Sequence, residues 1–313
     1  QRSLNLNNSN NVNVFPFALS DYDGEGELYF PENSELGTIK SEMEEPNSKS
    51  EKISVRSLDS LHQELDFSGV EFIKIDAEGA EANIVNGGST YLEQFSPLIM
   101  HEVKKGSVVD FTVCRKLEER GYENYRLIPA LNCLVPINIE EECDGYLLNV
   151  FSCKSDRART LAKNNLLVHS EIIPKVSNLK KIDWSVQFDN SPIGKIVSSS
   201  LNTGPKTQII EHDRYLKALN YYACSETEDF SLSARVGALK FATSELTTIN
   251  QKNSNFARLY SLARVTFEYG LRGNSVAALK NLINHINTGD FNSEEVFVPI
   301  KSKIGDFESN DDF

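Results

Sequence analysis

The sequence predicts an α/β domain built on a mostly parallel sheet, followed by an α-helical domain. The first sign is GVEFIKID (residues 69–76), a near-continuous apolar run with one lysine, of the kind that forms a strand covered on both faces. A helical stretch and a second apolar run, PLIMHEV (97–103), follow it. Strand–helix–strand–helix–strand order asks for parallel pairing with right-handed crossovers. The second sign is a change of texture after Lys154: from His212 to about Asn287 the apolar residues recur at helical spacing.

At 313 residues the chain exceeds one average domain of roughly 100–200 residues. Hydrophobic residues make up 40%, enough for a buried core, which excludes global disorder. A formal net charge of −13 excludes a general nucleic-acid binder, which carries a basic face, and leaves uncharged small or polymeric substrates open. The five cysteines, Cys114, Cys133, Cys143, Cys153 and Cys224, form no C-x-x-C pair and have no histidine at zinc spacing. They read as reduced thiols of a cytoplasmic protein, used as small buried hydrophobes, and no metal is expected. No apolar run reaches the ~18–20 residues of a membrane span. The opening QRSLNLNNSNNVN is polar, carries no secretory signal and begins with Gln1 rather than Met, so the start is expected to be a processed or truncated end.

Taken in order, VNVFPFALSD predicts a strand from Val12 to Ala18, and DGEGELYF a second strand after a glycine-rich turn. The polar stretch from Pro31 to Lys52 reads as a surface loop, then ISV as a short strand. A helix is expected to start near Ser57–Asp59, whose small polar side chains suit a cap. The segment from Glu78 to about Phe95 reads as helix, weakened or ended halfway by Gly87–Gly88. Val108, Phe111, Cys114 and Leu117 form the core stripe of a further helix stopped at Gly121. NYRLIPALNCLVPI and GYLLNVFSCK complete the strands, and residues 155–165 form a short helix. The expected division is an α/β domain over 1–153, a linker over 154–210, a helical domain over 211–290 and an acidic tail over 291–313, whose end GDFESNDDF reads as loose. The helical part reads as RYLKALNYYA, FSLSARVGALKFATSELTTI, NFARLYSLARVTFEYGL and NSVAALKNLINHI. The last two resemble a tetratricopeptide-type hairpin, with a plain bundle equally compatible.

Chemistry is concentrated after the strand at 69–76. In an open α/β sheet, ligands lie outside the carboxyl ends of the strands. Asp76 ends one strand and Glu102 the next; if the two strands are neighbours, both carboxylates face one crevice, as acid–base work requires. A charge at the end of a buried strand needs a partner or a purpose, which singles out Asp76. Lys74 points to the same side of the pleat and can pair with either acid. His101 precedes Glu102 and points to the opposite face. Glu78 and Glu81 open the following helix, where a negative charge is stabilised by about 0.3–1 kcal/mol; capping and function both remain open for them.

Lys74, Ile75, Asp76, Glu78, Gly79 and Glu81, followed by Pro97, Ile99 and Glu102, resemble the (I/L)KID-x-EG-x-E and P-x-I-x-x-E signatures of the FkbM-type S-adenosylmethionine-dependent methyltransferases. The stretch NVFPFALSDYDGEGELYF resembles that family's strand ending in A-L-S-D, and the likeness spans about residues 4–153. The resemblance implies a Rossmann-like class I methyltransferase sheet with S-adenosylmethionine as cofactor. Ala18, Leu19, Ser20 and Asp21 would then border the cofactor. Asp76, Glu78 and Glu102 would be the catalytic set, with Lys74, Gly79, Glu81 and His101 around the substrate. It implies O-methylation of a sugar, glycan or related hydroxyl, with Asp76 as the base and Glu102 positioning the acceptor. The family's opening strand with its D-x-G-x-x-x-G turn has no counterpart before Val12, so the sheet is expected to lack its first strands. Weak or no binding of S-adenosylmethionine by this chain alone, and so an inactive fragment, is the corresponding expectation, which calorimetry checks.

The competing expectation is a non-catalytic interaction scaffold, with a degenerate α/β domain and a helical domain that binds a protein partner. A partner domain for a sugar-nucleotide glycosyltransferase ranks last. Fold by itself does not choose among them.

Overall fold

The computed structural model describes residues 6–7, 11–30, 49–105, 108–141, 143–169, 182–184, 186, 188, 211–289 and 295–298. The chain divides into two compact units, one of Gln1–Tyr125 with Leu148–Thr160, the other of Arg126–Leu147 with Leu161–Phe313. A single cut after residue 153 therefore does not describe the chain, because the stretch 126–147 groups with the helices. Of the expected linker, Ser155–Lys163 is helical, and most of 170–210 lies outside the described residues. The same holds for most of the expected surface loop at 31–52.

Among the described residues, the first unit carries a three-stranded sheet, most of a second sheet and a two-stranded ribbon. In the three-stranded sheet, β1 (Phe17–Leu19), β3 (Lys49–Arg56) and β2 (Gly24–Phe30) lie in that order, β1 parallel and β2 antiparallel to β3. Helix α1 (Leu58–Leu65) is capped by Ser57, whose hydroxyl accepts from the Ser60 amide. Asp23, in the turn before β2, ties that turn to the helix start by accepting from the Ser57 amide at 2.8 Å and the Ser60 hydroxyl at 2.7 Å.

In the second sheet β4 (Phe72–Ile75) runs parallel to β5 (Leu98–Glu102), and β10 (Asn149–Cys153) lies antiparallel between β5 and β8 (Glu123–Ile128). The sheet is thus mixed rather than mostly parallel. The chain leaves β8 at its carboxyl end and returns from there as β10, which gives antiparallel pairing without a crossover helix. Nor is β4 covered on both faces: Phe72 is 51% exposed, and among the described residues the strand pairs with β5 alone.

Between the strands, the expected helix from 78 to 95 is two: α2 (Glu81–Gly87) and α3 (Ser89–Gln94). The break has a packing cause. A Cβ on Gly87 would stand 2.0 Å from the Ser20 carbonyl oxygen, and one on Gly88 2.8 Å from Leu58 Cδ2. The two glycines let the helix end press against the end of β1 and against α1. Asp59 then accepts from the Thr90 and Tyr91 amides at 3.0 and 2.8 Å and caps α3. Val108, expected in a helical stripe, is 64% exposed and belongs to a two-stranded ribbon of β6 (Lys104–Lys105) and β7 (Val108–Val109). Helix α4 (Thr112–Glu118) carries the rest of the stripe, with Cys114 and Leu117 fully buried. Ile75, Ile84, Val85, Leu92, Ile99 and Leu117 lie in the core of this unit.

The second unit contains β9 (Cys133–Pro136), and α5 (Ser155–Lys163) ends within it. Its helices are α6 (His212–Glu226), α7 (Leu232–Lys252), α8 (Phe256–Tyr269) and α9 (Arg272–Asn287), matching the four amphipathic segments. Ser231 and Asn255 cap α7 and α8, and Gly270 at φ 91° ends α8 in the left-handed turn that glycine favours. Asp144 accepts from the Gly273 amide with both oxygens, at 3.0 and 2.8 Å, and so fixes the start of α9. Within the expected acidic tail, Glu295 and Val298 are packed, each 1% exposed. The rest of that tail lies outside the described residues.

Candidate active site

The register of β4 on β5 pairs Lys74 with Met100 and Ile75 with His101. Side chains alternate along a strand, so Lys74 and Glu102 share one face of the sheet and Ile75 and His101 the other. Asp76 follows directly at the carboxyl end of β4. Its Oδ2 accepts from Lys74 Nζ at 2.7 Å, and both side chains are about half exposed, at 45% and 53%. The neighbouring strands thus bring Lys74, Asp76 and Glu102 to one end of the sheet.

The loop between β4 and α2 has unusual backbone geometry. Glu78 and Gly79 have φ values of 46° and 95°, in the region that glycine favours and other residues occupy at a cost. Glu81 compensates from inside the loop. It is 5% exposed, and its Oε1 accepts from the Ala77 amide at 3.1 Å and the Gly79 amide at 3.0 Å. Its carboxylate is spent on backbone, which fixes where Asp76 and Glu78 stand.

Glu102 has the most informative electrostatics. Burial pushes its carboxyl above the ordinary range; the negative charges of Asp76, Glu78 and Glu81 push the same way, and Lys74 opposes them. A carboxylate so placed holds a proton more tightly than a free one and is a better proton acceptor near neutrality.

Of the residues expected at the cofactor, Leu19 lines a cavity of about 410 Å³ together with Leu58, Phe67, Ile73, Lys74 and Asp76. Ser20 is 1% exposed; its amide donates to the Arg56 carbonyl at 3.0 Å and its hydroxyl to Asp21 Oδ1 at 3.2 Å. Ala18 is half-buried and Asp21 exposed. The walls at Leu58 and Phe67 were not singled out from the sequence, where an apolar residue in a helix or loop looks the same whether it fills a core or lines a cavity. Gly87 was legible only as a helix breaker, although the adjacent glycine pair was the available signal.

His101 is fully buried on the opposite face. Its Nε2 lies 3.2 Å from Ser152 Oγ, which donates to Asn124 Oδ1 at 2.7 Å, and Asn124 Nδ2 donates to Glu118 at 2.8 Å. With the serine proton committed to Asn124, the imidazole donates from Nε2. Burial lowers its pKa from 6.5 to about 4, so it is neutral at physiological pH. The structure does not bring it to Asp76 and Glu102. Among the described residues no group of His, Cys, Asp and Glu could hold a metal ion, and no helix is long and apolar enough to cross a membrane.

Residues 1–123 match the Methyltransferase FkbM domain. The matched segment runs from before β1 to the first residue of β8, and Asp76, Glu78, Glu81, Glu102 and the end of β1 all fall inside it. The match covers less than half of the 313 residues, and the remaining residues lie beyond it. No curated protein and no solved structure matches the chain.

Proposed function

We propose that the FkbM domain methylates a hydroxyl of a sugar or glycan from S-adenosylmethionine, with Glu102 as proton acceptor and Asp76 as the group that orients the acceptor. The supporting observation is the placement of two carboxylates at the carboxyl ends of adjacent parallel strands, only one of which is ion-paired to Lys74. This reverses the roles that the sequence suggested. Asp76 is engaged by a lysine at 2.7 Å, whereas Glu102 is shifted toward holding a proton.

The residues present would hold part of the cofactor: Leu19, Leu58 and Phe67 offer an apolar wall for a flat heteroaromatic ring, and the Lys74 ammonium at the same cavity would face the carboxylate of an amino-acid end. S-adenosylmethionine supplies a methyl group on a sulfonium centre that is reactive toward oxygen nucleophiles. The chain's own contribution is to hold an acceptor hydroxyl against Asp76 and to take its proton on a Glu102 carboxylate oxygen as the oxygen–carbon bond forms. Glu81 keeps the loop in place, so that the two acids do not drift apart.

The test is transfer of labelled methyl from S-adenosylmethionine to a panel of free sugars and glycans. With the acceptor found, Glu102→Gln is expected to lower kcat roughly 100-fold or more, in the range of a lost general base. Equal rates for wild type and Glu102→Gln would remove Glu102 from proton transfer.

A further inference from the structure

The second unit buries an ion pair that the methyltransferase reading does not use. Arg258 on α8 is fully buried, and Glu295 is 1% exposed. The guanidinium grips the carboxylate with two hydrogen bonds, Nε to Oε2 at 2.7 Å and Nη2 to Oε1 at 2.9 Å. Asn255 Nδ2 adds a donor at 2.7 Å, and His212 Nδ1 lies 2.9 Å from Oε1. A buried guanidinium cannot be left without a counter-charge at tolerable cost, so this site requires a carboxylate.

That carboxylate does not come from a helix. It comes from an irregular stretch, Glu295–Val298, which α6 and α8 grip through its backbone. The Tyr215 hydroxyl donates to the Val296 carbonyl at 2.8 Å, and the Val298 amide donates to Ser261 Oγ at 3.0 Å. Tyr215 and Ser261 are themselves joined at 2.8 Å, so one short chain of hydroxyls serves both backbone groups. The Phe297 ring packs edge-on against Tyr260 and Phe188, with centroids 5.1 and 5.4 Å apart. A charged anchor, side chains reading a main chain and an aromatic anchor two residues on are the components of extended-peptide recognition.

We infer that the groove between α6 and α8 is a binding site for an extended Glu-x-Phe-Val peptide presented by a partner protein, and that residues 295–298 occupy it in cis. Apart from Phe188, every gripping group belongs to α6, to α8 or to the α8 cap, so the occupant is replaceable by a chain with the same chemistry. An intramolecular occupant is favoured by its effective concentration, and a partner gains access when the cis segment is weakened or outcompeted. None of this depends on methyl transfer.

The test uses the full chain carrying Glu295→Gln and Phe297→Ala and a fluorescent peptide of residues 293–300, titrated by anisotropy. The double variant is expected to bind the peptide at least tenfold more tightly than the wild type, whose groove is filled. Adding Arg258→Met to the double variant, or replacing the peptide's glutamate by glutamine and phenylalanine by alanine, is expected to abolish binding. A folded double variant that ignores the peptide would overturn the inference and make residues 295–298 a fixed part of the helical unit. If the double variant melts early, saturating peptide is expected to raise its Tm, and no rise would count equally against the inference.

Discussion

Two carboxylates, one in each unit, are treated in opposite ways. Glu295 is almost completely removed from water but receives four hydrogen-bond donors' worth of contact from Arg258, Asn255 and His212. Burial alone would raise its pKa, yet these donors outweigh burial and hold the carboxyl below the ordinary value. Glu102 is only half-buried, but its neighbours Asp76, Glu78 and Glu81 are negative and reinforce burial, with Lys74 alone opposing. The first arrangement satisfies a charge fully and suits recognition. The second leaves a charge short of partners and ready to take a proton, which suits chemistry.

The largest expected effect comes from breaking the satisfied pair. Glu295→Ala leaves the Arg258 cation buried and should cost about 3–5 kcal/mol in denaturant unfolding of the second unit, whereas Arg258→Met with Glu295→Leu should recover most of it. A double variant as unstable as the single one would mean that the ion pair is not what holds residues 295–298. In the first unit, His101 gives a comparable effect through pH. Its folded pKa of about 4 lies below the 6.5 of an ordinary histidine, so the unfolded chain takes up the proton first as pH falls. Stability from this group is present above pH 6.5 and lost on the way down to about 4, by on the order of 3 kcal/mol in total. His101→Asn should flatten that part of the stability–pH curve.

Two smaller effects sharpen the Glu102 side. Glu81→Ala removes the acceptor of two loop amides and should cost about 1–3 kcal/mol, with loss of methyl transfer larger than the loss of folded protein explains. Lys74→Met removes the cation that opposes the raised pKa of Glu102, so the acid limb of the pH–rate profile should move to higher pH while the melting temperature hardly changes. An unmoved limb would place the titrating base elsewhere.

Much of this was legible in the sequence. The KID run and its following helix located the carboxylates, and the caps at Ser57, Ser231 and Asn255 mark helix starts that the spacing had already suggested. What was not legible depended on distant chain. The pairing of β10 between β5 and β8 is set by where the chain returns from its excursion through 126–147, and no local period encodes that. Glu81 looked like a helix-opening acid, and only the φ values of Glu78 and Gly79 show why it turns back toward the loop. Glu295 lies in a stretch that composition marks only as an acidic tail, since its partner Arg258 is 37 residues away and indistinguishable in sequence from a surface arginine.

The contrast between the two carboxylates is tested most directly by NMR titration of the glutamate side-chain carboxyl carbons in the full chain, with Glu102→Gln and Glu295→Gln assigning the two signals. Glu102 is expected to titrate above the ordinary 4.5 and Glu295 below it. Both signals titrating together at the ordinary value, or in the reverse order, would contradict the division of the molecule into a carboxylate poised for chemistry and one committed to binding.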